Sequence, residues 1–204
     1  GKSEMGFIRG FDQHSSGCGN VSMEALGTVL VDGGGAKKVL SPANELLRLG
    51  YNVSIFMDSD VPLGADDEEA FVSGGGTVFK WPNQCALEDA IFRCATGQVI
   101  ASLLDYAVSL PNGDKVDAQI RTASKNQFNL AQAKSWAETN TLQPATAGIL
   151  GLAARSGDGW FKRIAPYEHI AKNILAPSYS SLHADLTGIT TALMNWAWGH
   201  NDRT

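Results

Sequence analysis

The sequence predicts an α/β fold, a small parallel sheet flanked by helices and followed by a mostly helical lobe. Three observations predict it. Three short runs rich in β-branched and aromatic residues, "TVLV" at 28–31, "VSIFM" at 53–57 and "TVFKW" at 77–81, are bounded by Gly, Asn, Asp and Pro. Between the first two lies "AKKVLSPANELLRLG", whose apolar residues recur at helical spacing. After Pro82 strand-like runs give way to long segments of helical period.

In order along the chain, "GKSEMGFIRGFDQ" reads as a short helix with Met5, Ile8 and Phe11 on one face. A Ser-, Gly- and Asn-rich loop leads to the expected strand Thr28–Val31, which runs into the glycine turn 33–35. Val39, Leu40, Ala43, Leu46, Leu47 and Leu49 form the apolar side of the next helix. Pro42 is expected in its first turn or at the start of its main segment, and Gly50 at its end. With "YNVSIFMDSD" as the following strand, this makes a strand–helix–strand crossover and hence parallel pairing. "DVPLGADDEEAFVSGG" supplies an acidic helical segment and "GTVFKW" a third strand. "CALEDAIFRCATGQVIASLLDYAVSL" is helical with a break near Gly97, and the closing "GITTALMNWAWGHNDRT" places Ile189, Leu193, Trp196 and Ala197 on one stripe. The boundary between α/β core and helical lobe falls at 92/93, giving 1–92 and 93–204.

The 204 residues carry a formal charge of -5, which argues against holding nucleic acid by bulk charge while allowing a local basic groove. Cys18, Cys85 and Cys94 are odd in number and irregular in spacing, so neither a disulfide framework nor a zinc site is expected, and a reducing cytoplasmic setting is. No apolar run approaches the roughly 20 residues that span a bilayer, so no membrane partner is expected. His14, His169, His183 and His200 are scattered and make no metal spacing.

The informative stretch is "FMDSD". Residues two apart on a strand point the same way, so Asp58 and Asp60 can project together beyond the carboxyl end of the sheet, where ligands of open α/β sheets collect. Two readings stand: a pair of turn-capping, solvated aspartates, or a carboxylate pair that holds a hard cation such as magnesium or manganese. Glu88 and Asp89 in "ALEDAIF" open a helix near the same edge, where they serve the helix dipole or the same site. Ser59 is expected to face away from the aspartates, and Asp32 to serve its glycine turn.

"GKSEMGFIRGFD", "VLVDGGGAKKVLSPANELLRLGYNVSIFMDSDVP", "ALEDAIF" and "GWFKRIAPYEHIA", in that order, resemble the Toprim nuclease region of the OLD-family ATP-dependent endonucleases. The resemblance covers most of the chain and is most specific over 29–62. It implies a Toprim, Rossmann-like sheet whose first strand, ending in a glutamate, would precede Gly1, and an ATPase domain of the full-length chain before that. It implies a divalent-metal-dependent DNA endonuclease with a two-metal site for Mg2+ or Mn2+, ATP belonging only to the ATPase domain, and DNA as partner. By position, Asp58 and Asp60 match the DxD, Glu88 the acidic residue of the second metal, and Glu4 the second glutamate of the Gly-Lys-Ser-Glu motif. Lys162 in "GWFKR" matches the basic residue that approaches the scissile phosphate. The family's Gly-Glu step appears as Tyr167-Glu168, with the glycine replaced.

Phosphodiester cleavage by such a site needs clustered carboxylates to hold the ions and a cation to offset transition-state charge. Glu4 and Lys162 are thus the expected catalytic residues, and Asp58, Asp60, Glu88 and Glu4 the expected metal ligands. Lys37, Lys38, Arg121, Lys125, Arg155 and Arg163 are candidates for phosphate-backbone contacts, and Trp160 for a wall of the cleft. Toprim folds also serve strand transfer or primer synthesis, and a truncated module could act as a DNA-binding or protein-interaction scaffold without catalysis.

Overall fold

Two parallel strands, packed between a small α/β core and a larger helical one, form the sheet of this mostly helical α/β protein, whose computed structural model describes residues 1–199. Strand β1 (Ser54–Met57) pairs with β2 (Thr77–Lys80), Ser54 opposite Thr77 and Met57 opposite Lys80, and helix α3 (Ala65–Ser73) joins them. The crossover unit therefore exists one element later than the sequence predicts. Thr28–Val31, expected as the first strand, pairs with no strand among the described residues: it is irregular, with Val29 77% and Val31 66% exposed. A cleft of about 610 Å³ separates it from the free edge of β1, so the β-branched run has the composition of a strand without a neighbour to bond.

Alternation along β1 divides the interior. Ile55 and Met57 face a small core with Ala43, Leu63 and Phe71, under α2 (Ala36–Arg48) and α3. Phe56, on the other face, lies edge-on to Trp81 at 5.2 Å and near Phe7 at 6.1 Å, joining the larger core. Pro42 sits midway along α2 rather than in its first turn. The bond it forfeits belongs to the Lys38 carbonyl, on a stretch where both residues are exposed to water.

Helix α1 runs Lys2–Gly17, longer than expected, and buries Phe7, Ile8 and Phe11. It packs along α9 (Ile164–Ile170) and the π-helical turn Ala171–Leu175 that continues it. Gly6 and Gly10 make this possible: a methyl at Gly6 would strike the Ile164 carbonyl and Tyr167 Cβ, one at Gly10 the Glu168 carbonyl and Ala171 Cβ. Helices α4 (Leu87–Cys94) and α5 (Gly97–Ser109) are separated at Ala95–Thr96, the break the sequence predicts. Helices α6 (Val116–Ala123), α7 (Leu130–Glu138), α8 (Pro144–Arg155) and α10 (Ala184–Trp198) complete the lobe, with Leu193 and Ala197 buried and Ile189 and Trp196 half-buried, as the stripe requires. The larger core draws residues from both sides of the 92/93 boundary, from Phe7 to Ala197. No helix among the described residues is long and apolar enough to cross a membrane.

Candidate functional site

Three chain segments deliver carboxylates to one cavity of about 310 Å³ at the carboxyl end of β1. Asp58 and Asp60 follow the strand, Glu4 comes from the first turn of α1, and Glu88 from the first turn of α4. Lys162 and Arg155 complete the charged wall, with Ser3 and Ala86 between them. All five residues singled out in the sequence therefore line one space, drawn from positions 4 to 162.

Local folding explains why each side chain is there. Ser59 turns away from its flanking aspartates, as expected, and clamps the strand tip to the loop before α4. Its N–H donates to the Cys85 carbonyl at 3.0 Å, and its Oγ accepts from the Cys85 N–H at 2.9 Å. The clamp sets the start of α4 beside Asp58. There the two adjacent acids divide roles: Asp89 Oδ2 accepts the Ala86 N–H at 3.3 Å, capping the helix, while Glu88 faces the cavity. Asp32 stays outside, accepting the Gly34 N–H at 3.0 Å in its own turn.

The electrostatics are those of crowded, dehydrated acids. Asp58 is pushed up to about 8, first by burial and then by the charges of Glu4, Glu88 and Asp60, with the Leu87 N–H opposing in part. One of its oxygens, Oδ1, is buried without a hydrogen-bond partner among the described residues. Glu88, 6% exposed, is also raised, chiefly by burial; its own N–H, Tyr167 and Lys162 pull the other way. Glu4 is 9% exposed.

Two residues enter that sequence reasoning underrated. Arg155, at the end of α8, holds Asp60 Oδ2 through Nη1 at 3.0 Å and Asp89 Oδ2 through Nε at 3.4 Å. Sequence offered it only as one basic residue among several, since nothing in "ARSGDGW" foretells that α8 ends over the strand tip. Tyr167, fully buried on α9, directs its hydroxyl at Glu88 without completing an ordinary hydrogen bond, and burial holds it protonated well above the usual phenol range. Lys162 lies across the cavity mouth, its Nζ donating to the Gly157 carbonyl at 3.0 Å. Glu168 is not in the cavity wall; it accepts from Gln13 of α1. Trp160 is buried, its indole N–H donating to Gln119 at 2.8 Å, so it braces the lobe instead of walling the cleft.

The residues fit a hard divalent cation by chemistry: four carboxylates, one with a buried oxygen left unpartnered. They are not drawn together into a finished ligand set, since among the described residues no three His, Cys, Asp or Glu side chains stand close enough to hold a metal ion as placed. The histidines take other parts: His169 stacks on Tyr106 at 4.1 Å, His183 caps α10, and His200 lies outside the described residues. Cys18, Cys85 and Cys94 are free thiols.

Compared with known proteins, the chain matches no family model, no curated protein and no solved structure.

Proposed function

We propose that this chain is a divalent-cation-dependent phosphodiesterase acting on DNA, and within that class the Toprim nuclease portion of an OLD-type, ATP-driven endonuclease. One observation carries the reading: Glu4, Asp58, Asp60 and Glu88 share a single cavity with Lys162 and Arg155, where burial first, and the neighbouring acids after it, push Asp58 up to about 8. Buried carboxylates that cost the fold this much are most readily understood as a cation site. The fragments of sequence that resemble the Toprim nucleases supply the acids and the lysine of this cavity, and the β1–α3–β2 unit supports a Rossmann-like reading of the sheet.

Asp58, Asp60, Glu88 and Glu4 would hold the magnesium or manganese, which when bound supplies an activated water and neutralises phosphate charge. The chain's own groups do the rest. Asp58 gives up its proton when the cation is taken. Tyr167, fully buried beside Glu88, keeps water from that side of the carboxylate. Lys162, at the open side, offsets negative charge on the phosphate in the transition state, where a fixed cation counts most.

The test is nicking of supercoiled plasmid in Mg2+ or Mn2+ by the unaltered chain, by the chain extended at its amino end, and by Asp58→Ala and Lys162→Ala in each. Asp58→Ala is expected to abolish cation-dependent nicking and Lys162→Ala to slow it about 10²-fold or more, the worth of a transition-state donor. Cation-dependent DNA binding with equal, background nicking in all proteins would replace this reading with a non-catalytic DNA scaffold.

A further inference from the structure

Arg155 is placed by a bare patch between two helices. Gly151 lies one turn before it on the same face of α8, and a methyl there would meet Asp89 Cα and Oδ1, each at 3.0 Å. Without that methyl α8 settles against the start of α4, and Arg155 is carried to the cavity mouth.

Its two anchors are unequal. Asp89 is fixed: its side chain is 3% exposed and its Oδ2 also caps α4. Asp60 lies past the strand tip with a side chain 30% exposed, paired to a guanidinium itself 35% exposed. An ion pair so open to water is weakly held. Asp60 shares the cavity wall with Glu4, Asp58 and Glu88, so a divalent cation that takes Asp60 finds further oxygen donors beside it. A doubly charged ion gains more from Asp60 than a guanidinium does, and the oxygen donor suits it.

Resting on the nuclease reading, we propose that Arg155 is the resident counter-cation of the cavity. It keeps Asp60 until a divalent cation claims that carboxylate. Then, still tethered to Asp89 through Nε, it presents its freed Nη groups to the phosphodiester. The guanidinium fork matches two phosphate oxygens, which a lysine ammonium does not. The exchange also accounts for a ligand set that is gathered around one space yet unfinished: Asp60 is held aside by an arginine.

The experiment is calorimetric titration with Mn2+, with plasmid nicking at saturating Mn2+, for the unaltered protein, Arg155→Met and Arg155→Lys. Removing the competitor is expected to tighten Mn2+ binding about two- to fivefold in the methionine variant, the range an exposed pair allows, while nicking falls about 10²-fold. Lysine, too short to span both aspartates, is expected to move both readouts the same way by less, and keeps the test open if the methionine variant does not fold. A brace that merely supported the fold would weaken both together. Weaker or unchanged Mn2+ binding in the folded variants overturns the role of Arg155 alone. Absence of Mn2+ binding in the unaltered protein overturns the nuclease reading as well.

Discussion

At Asp58 the cost of building the cavity becomes measurable. Its carboxyl titrates near 3.8 in an unfolded chain and at about 8 in the fold. Between those values the folded protein keeps a proton that the unfolded chain has lost, so stability from this group is complete below about 3.8 and drains away as pH rises through about 8. Glu88, also raised, acts with the same sign. Cation-free protein is therefore expected to melt at progressively lower temperature as the pH is raised from about 5 to about 8, and Asp58→Asn to flatten that slope, in calorimetric scans. Added Mn2+ should raise the melting temperature most at the alkaline end, where no proton competes. A slope of opposite sign, or one unchanged in Asp58→Asn, would show that this carboxyl is not the strained group.

Among the elements, the contact of α1 with α9 sets the geometry of the acids, because Glu4 rides on one helix and Tyr167 on the other. Gly6→Ala must push them apart, since the groups in the way include the Ile164 backbone carbonyl. A loss of about 1–3 kcal/mol in denaturant melts is expected, the usual cost of overpacking, with Mn2+ affinity falling alongside. Gly188→Ala, in an exposed stretch of α10 where a methyl meets nothing, is the control and should gain about 0.5–1 kcal/mol. Equal effects of the two would mean the helices have room to spare. This contact was also out of reach of sequence reading. The periodicity of "GKSEMGFIRGFDQ" suggests an apolar face through Met5, Ile8 and Phe11, whereas the fold buries Phe7 with Ile8 and Phe11, and nothing local says that the glycines meet α9, over 150 residues onward.

For the whole molecule, β1 is the seam between two cores, and the cavity opens where that seam ends. What sequence could reveal follows from this. Asp58 and Asp60 were legible because strand tips and spacing are local, and Glu88 because it begins a helix beside them. Arg155, Tyr167 and the division of labour between Glu88 and Asp89 depend on how distant helices cross, which no local pattern records. Thr28–Val31 misled for the complementary reason: strand propensity describes a residue's fitness for a sheet, while membership needs a partner. That last feature carries a consequence of its own. The described part of β1 has main-chain bonds on one flank only, and across the cleft stand two outward valines. Such a slot is shaped for polypeptide in extended form, and in concentrated solution neighbouring molecules can supply it. The apparent molar mass from light scattering should accordingly rise with protein concentration, and Val29→Lys with Val31→Lys should suppress that rise by setting two positive charges at the mouth of the slot.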